Sequence, residues 1–212
     1  IVDAAIDFSI PQGAVRFIQA MARQGIPVVS GTTGLSAADL KAVAEAAEHA
    51  PVLWAANTSI GVFALHELAA MARRLLGPSY DIEVGEVHHR HKRDAPSGTA
   101  LSLAQRLVEE VPGLHPVTGR EGECGPRKDN ELGVLAVRGG EVVGDHTIHF
   151  LGDHDRIEIT HRAASRNAFA QGALMLAQRL IGRPAGLVAI ADLLAPDPDA
   201  ATRCARTPGS TD

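Results

Sequence analysis

The sequence predicts an α/β protein, a parallel sheet followed by an α+β unit whose sheet is mostly antiparallel. Three observations predict it. Short apolar runs alternate with helical periodicities through the first third of the chain. Later, three strand-like runs succeed one another with no helical pattern between them. The content is 45% hydrophobic but only 3% aromatic, so the cores must be built from Ala, Val, Leu and Ile.

Val2 to Phe8 is a short apolar run that suits a buried strand. From Pro11 to Gln24, Val15, Ile18, Met21 and Ala22 recur at helical spacing, and Gly25 supplies the stop. Pro27 to Val29 reads as the next strand, followed by the turn Ser30-Gly31-Thr32-Thr33-Gly34. Ser36 can cap a helix running to about Ala50, which Pro51 ends, and Val52 to Ala55 is a third strand. Strand and helix in alternation imply right-handed crossovers and a parallel sheet, with ligands gathering at the carboxyl ends of the strands. Phe8-Ser9, Gly31 to Gly34 and Ala55-Ala56-Asn57 fall there and would form one rim of a ligand crevice.

Gly61 to Leu76 is the next helix, ended by Gly77-Pro78. Tyr80 to Val87 alternates apolar and polar residues, as a half-exposed strand does. His88 to Ser97 is a polar loop and Gly98 to Glu110 a helix. After a Gly- and charge-rich stretch from Pro112 to Glu131 come the strands Gly133 to Arg138, Val142 to Phe150 and Arg156 to Arg162. Gly139-Gly140 and Gly152-Asp153 read as hairpin turns between them. Ser165 opens a helix to about Leu180, Leu187 to Leu194 can pack, and Ala195 to Asp212 is expected to be a loose tail. Residues 1–59 with 165–212 are expected to form one domain, and 60–164 the other.

The bulk numbers narrow the function. A net charge of −5 argues against a generic nucleic-acid binder. Two distant cysteines, Cys124 and Cys204, make neither a disulfide framework nor a zinc pair, and read as unpaired thiols in a reducing cytosol. No apolar run is long enough to cross a bilayer, and the start of the chain lacks the basic region of a signal peptide. A cytoplasmic protein with no membrane partner is expected.

The densest chemistry is the stretch from His88 to Thr99. Three histidines and three permanent cations occupy six successive positions, in an acidic protein. A charge run alone is most simply a solvated loop, but this one follows a strand and opens a helix. Ser97 can cap that helix, and the free N–H groups near Gly98 and Thr99 would suit a carboxylate. Lys92 can hold a second carboxylate by charge. Histidine is the side chain best suited to donate and regain a proton near neutral pH. Metal ligation by His88 or His89 with His91 competes, but adjacent Lys and Arg would repel a cation, so no metal is expected. His66-Glu67 lacks the second histidine of an HExxH motif. The Gly31 to Gly34 turn allows close approach of a cofactor, though a tight turn before a helix is its simpler reading. His146, His149, His154 and His161 read as packing or surface residues, and Arg138-Gly139-Gly140 as a turn.

These motifs resemble one family. IDFS (Ile6 to Ser9), SGTTGL (Ser30 to Leu35), AANTSIGV (Ala55 to Val62), EVHHRHKRDAPSGTALSLA (Glu86 to Ala104), VRGGEVVGDHTIHF (Val137 to Phe150) and ITHRAASRNAFAQGAL (Ile159 to Leu174) look like the 4-hydroxy-tetrahydrodipicolinate reductases, also called dihydrodipicolinate reductases. The HHRHK…DAPSGTA stretch is the specific part. The resemblance implies NADPH- or NADH-dependent reduction of 4-hydroxy-tetrahydrodipicolinate to tetrahydrodipicolinate in lysine and diaminopimelate biosynthesis. It implies His88 as the general acid, with Lys92 beside it, and His89, Lys92, Gly98 and Thr99 as the substrate-binding residues. Gly31 and Thr33 would contact the nicotinamide ribose region. Ala55, Asn57 and Thr58 would line the nicotinamide pocket, and Arg166 would touch the nicotinamide side. It further implies a Rossmann-like dinucleotide domain and a homotetramer formed through the antiparallel sheets of the substrate domain.

The chain departs from the family in three ways. The GxxGRMG turn that takes the cofactor pyrophosphate is absent, so a strand–helix–strand start on the order of 60–70 residues is expected to be missing. Thr58 stands where many relatives have Phe, and the extension past Leu194 is longer than expected. Two other readings stay open at this point: a catalytically weak dicarboxylate-binding or assembly fragment of that enzyme, and metal-dependent hydrolysis through the histidine cluster.

Overall fold

The structure is a computed structural model and describes residues 2–195. The expected loose tail beyond Ala195, with Cys204 in it, lies outside the described residues. The chain divides into two compact units, residues 1–56 with 173–212, and residues 57–172.

The first unit opens with β1 (Ala5–Asp7), α1 (Pro11–Ala22), β2 (Val28–Ser30), α2 (Ala37–Ala46) and β3 (Pro51–Trp54). Pro11 starts α1, where its fixed φ is already helical and its missing N–H costs nothing. Beyond the helix, Gly25 takes a positive φ of 72°, a conformation other residues reach only with strain. Ser36 and Asp39 exchange side-chain-to-backbone bonds of 2.8 and 3.2 Å, a reciprocal cap that starts α2. This helix stops at Ala46, short of the expected Ala50, because the chain turns over 47–50 and Pro51 becomes the first, buried residue of β3. Ala5, Ile18, Val28, Val43 and Val52 form the core of this unit.

The second unit holds α3 (Ile60–Leu76), a 3-10 turn at Gly77–Ser79, β4 (Asp81–His88), α4 (Gly98–Glu110), β5 (His115–Val117), β6 (Glu131–Arg138), β7 (Asp145–Leu151) and β8 (Arg156–Arg162). Helix α5 (Asn167–Leu180) follows, and then β9 (Gly186–Leu187) and α6 (Ile190–Leu194) in the first unit. Strand β9 lies parallel to β3, giving a four-stranded parallel sheet in the order β1-β2-β3-β9. Of the stretch expected to pack, Leu193 of α6 is buried while Leu187 of β9 is exposed.

The other sheet runs β5-β6-β4-β7-β8. It is mixed rather than mostly antiparallel. Strand β4 is parallel to β6 and antiparallel to β7, and β5 is parallel to β6. The reason is α4, which lies between β4 and β6 in the chain and makes their connection a crossover. It follows that Gly139-Gly140 is not a hairpin turn, because β6 and β7 are not neighbours but flank β4. The segment instead carries the chain past the end of β4, where the Gly139 N–H donates to the His88 carbonyl at 3.0 Å. Gly152-Asp153 does join an antiparallel pair, β7 and β8. Strand β5 has no counterpart in the sequence reading, which took the whole of 112–131 as irregular. Leu65, Ile82, Val84, Leu103, Leu107, Leu132, Ile148 and Phe150 form a core between this sheet and the helices α3 and α4. Cys124 is exposed and unpaired.

Candidate active site

Strand β4 has a buried face of Ile82, Val84, Glu86 and His88, since alternate residues of a strand share one side. The first two are core. The last two place a carboxylate and an imidazole at the strand's end, still facing inward. Register supplies their neighbours. Glu86 lies opposite His146 of β7, and His88 opposite Arg138 of β6.

Glu86 is 1% exposed and ionised in a ring of donors. One carboxylate oxygen accepts from the Ser97 N–H at 2.9 Å and from Arg138 Nη2 at 2.8 Å. The other accepts from His88 Nδ1. Burial alone would raise this carboxyl, but Arg138, the Ser97 N–H and His88 together hold it below the usual range. For His88, burial lowers the pKa below that of a free histidine; Glu86 opposes this, and Lys92 and Arg138 add to it. His146 stands edge-on to His88 with ring centroids 5.2 Å apart. Burial and the neighbouring His88 depress it to about 4, so it is neutral near pH 7. A Cβ at Gly144 would lie 2.8 Å from His88 Nε2, so any side chain there would crowd that nitrogen.

Ser97 does two things here. Its hydroxyl accepts from the Ala100 N–H at 3.2 Å, capping α4, and lies 3.2 Å from His146 Nε2. With its oxygen accepting from Ala100, the hydroxyl proton is free to donate to His146. The tip of α4 beyond Ser97 is open: a Cβ at Gly98 would meet nothing within 4 Å. Thr99 Oγ1 accepts from Asn57 Nδ2 at 3.1 Å, so Asn57 braces this tip. Lys92 Nζ donates to both oxygens of Asp94 at 2.8 and 2.9 Å. Arg138 also donates to the Asp94 carbonyl at 2.7 Å, and the N–H groups of His89 and Arg90 reach the Val142 and Gly140 carbonyls. The loop from 89 to 97 is thus tied to the segment after β6.

Glu86, His88 and His146 also bring potential ligand atoms within 4.8 Å of one another, close enough to consider a metal. Both Glu86 oxygens, however, already accept from protein donors, one of them a permanent cation. An ion would have to displace Arg138 or His88.

In the first unit, Asp7 closes β1 and is buried. Its carboxylate accepts from Ser30 Oγ at 2.7 Å, Thr32 Oγ1 at 2.8 Å and the Ser9 N–H at 3.1 Å. Burial pushes its pKa up, and the hydrogen bonds from Ser9, Ser30 and Thr32 outweigh that and hold it low. Trp54 Nε1 donates to the Thr32 carbonyl at 2.8 Å. The Gly31 to Gly34 turn is therefore fixed at Thr32 from two sides, while Thr33 and Gly34 stay exposed. At Gly31 a side chain would run into the Phe8 ring.

Through Glu86 the structure links His88 to Ser97, the cap before the Gly98-Thr99 tip. It keeps Lys92 in the same loop, with its charge directed at Asp94. His89 is half-buried and Arg166 exposed in the turn before α5. Gly31 and Thr33 lie after β2 and Ala55 directly after β3, at carboxyl ends of the parallel strands. The Thr58 hydroxyl donates to the Phe169 carbonyl at 2.8 Å, and its carbonyl packs against Gly172 of α5, so the residue is buried as a whole. Sequence reasoning missed Glu86, Arg138, His146, Asp7 and Asp94. A signal existed for Glu86: an acid on the apolar face of an alternating strand, two residues from the key histidine.

Comparison with known proteins follows the same division. Residues 2–58 match the family model "Dihydrodipicolinate reductase, N-terminus" and residues 61–194 match "Dihydrodipicolinate reductase, C-terminus". The 4-hydroxy-tetrahydrodipicolinate reductase of Methanopyrus kandleri is 49% identical over 195 residues, which cover 91% of this chain and 71% of that one. That of Magnetococcus marinus is 46% identical, covering 91% and 73%. A solved dihydrodipicolinate reductase from Paenisporosarcina sp. TG-14, with dipicolinate bound, superposes with a TM-score of 0.73 at 24% identity, covering 91% of this chain and 73% of that one.

Proposed function

We infer the roles of the individual residues from the premise that this chain belongs to the dihydrodipicolinate reductase family. The family reduces 4-hydroxy-tetrahydrodipicolinate with NAD(P)H. The weak-fragment reading is not favoured, since family models match both units of the chain. NAD(P)H supplies the hydride when bound. The turn at Gly31 to Gly34 fits such a group: it is rigid at Thr32 and carries the exposed hydroxyl of Thr33. Gly31 and Thr33 would hold the nicotinamide ribose region, and Ala55, Asn57, Thr58 and Arg166 are the further contacts the family resemblance implies for the nicotinamide.

In the second unit, a dicarboxylate ring would set one carboxylate on the N–H groups of Gly98 and Thr99 and the other against Lys92 and His89. One observation carries this reading: a single buried carboxylate, Glu86, grips both the His88 ring and the cap of α4. The proton donor and the anion-binding tip are thereby held by the same group. Two negative charges arriving beside His88 would raise its depressed pKa, so the imidazolium forms when substrate is in place. His88 then protonates the carbon of the enamine left by hydride addition. Asp94 is exposed enough to surrender Lys92 at little cost. Lys92→Ala should raise the substrate KM roughly 10-fold or more with kcat changed much less, since a charge-assisted bond contributes about 1.5–3 kcal/mol. An unchanged KM, or unchanged affinity for pyridine-2,6-dicarboxylate in a titration, removes Lys92 from the site.

The expected partner is a second copy of the chain. Leu135, Val137 and Leu151 lie exposed on the sheet face turned away from α3 and α4, which supports association through that face into the homotetramer. Leu135→Asp with Val137→Asp should shift the sedimenting species to smaller size; an unchanged assembly size would locate the interface elsewhere. A cytoplasmic location is our expectation; among the described residues no helix is long and apolar enough to cross a membrane.

A further inference from the structure

We propose that Glu86 is the positioning residue of the proton donor: it fixes the neutral His88 ring with its proton on Nδ1 and stabilises the imidazolium, so that Nε2 alone passes the proton to substrate. The proposal rests on the reading of His88 as general acid.

The geometry carries it. An ionised carboxylate can only accept, so the contact between Glu86 and His88 Nδ1 requires the hydrogen to be on Nδ1. The other Glu86 oxygen is saturated by the Ser97 N–H and Arg138, and so cannot rotate to release the ring. Arg138 is itself anchored to the Asp94 carbonyl. That leaves Nε2, on the side where Gly144 has no side chain. In turnover the imidazolium Nε2–H bond breaks and a C–H bond forms at the substrate carbon. The electron pair returns to Nε2, Nδ1 keeps its hydrogen, Glu86 stays ionised, and solvent returns the proton to Nε2.

The surrounding charges make Glu86 decisive. His88 is faced by Lys92 from its loop, Arg138 from β6 and neutral His146 from β7, while Asp94 is engaged by Lys92. Burial, Lys92 and Arg138 all disfavour the imidazolium, and Glu86 is the group that favours it. Removing that negative charge leaves the ring to burial and the two cations, all of which oppose its protonation.

The test is nitrogen-15 NMR of the histidine rings, with the His88 signal identified by its loss in His88→Gln. In the unmutated protein the neutral His88 ring should show the Nδ1–H tautomer. In Glu86→Gln its titration midpoint should fall by about one pH unit, and the tautomer preference should weaken. The acid form is the active one, so activity is lost as pH rises through its pKa. The alkaline limb of the kcat profile should therefore move to lower pH, with kcat at neutral pH down about 10-fold and KM nearly unchanged. A merely structural role for Glu86 would move none of the pH-dependent readouts. An Nε2–H tautomer in the unmutated protein overturns the proposal without any variant having to fold, and so does an unmoved midpoint in Glu86→Gln. Either result leaves His88 as the acid. Full turnover in His88→Gln would instead overturn the parent reading, and this one with it.

Discussion

Replacing His88 by glutamine should lower kcat by roughly 100-fold or more while leaving the substrate KM within a few-fold, because positioned proton transfer contributes about 10²–10⁴ in rate. Glutamine suits the test. Its amide is near the imidazole in size and can donate to Glu86 as Nδ1 does, so the carboxylate is not orphaned and the cap of α4 stays in place. What is lost is a nitrogen that can carry and surrender a proton. Steady-state kinetics at saturating NADPH separate the two effects. If kcat and KM worsen together by similar factors, His88 binds substrate and does not protonate it.

The second large effect concerns stability. Gly172 lies in α5, and a Cβ there would strike the backbone carbonyl of Thr58. In an exposed helix, alanine for glycine gains about 1 kcal/mol from propensity alone. Here the obstacle is backbone, and it cannot retreat, because the Thr58 side chain is already bonded to the Phe169 carbonyl one turn earlier. We expect the clash to win, with Gly172→Ala losing about 2 kcal/mol net and the melting temperature falling by roughly 5 °C. A thermal melt followed by circular dichroism reads this directly. A higher melting temperature would mean that helix propensity outweighs the contact.

Much of this was legible in the sequence where the signal is local. Ser97 followed by a periodic run gives α4 from Gly98 to Glu110, and the Ser36 cap gives the start of α2. Strand order was not legible. Apolar alternation marks β6 and β7 as strands, but nothing local says that both lie against β4, and a glycine pair between two strands looks like a hairpin. The same gap hid Arg138 and His146. Each reaches Glu86 or His88 through register across strands far apart in the chain, which composition and spacing do not encode. Asp7 was missed for a related reason: its partners Ser30 and Thr32 come from the neighbouring strand and its turn. The histidines and lysine of the 88–99 stretch stood out because they are contiguous.

The passage of Gly139-Gly140 across the end of β4 also sorts the surface connections by how much change they bear. The turn at Asp153-His154 is an exposed tip joining two adjacent strands, and extra residues there would simply lengthen a loop. At Gly139-Gly140 they would act as a loosened hasp. The carbonyl of His88 would lose its donor and Arg138 its bearing on the Glu86 carboxylate. An epitope tag or a new chain terminus therefore belongs at the first of these places and not at the second.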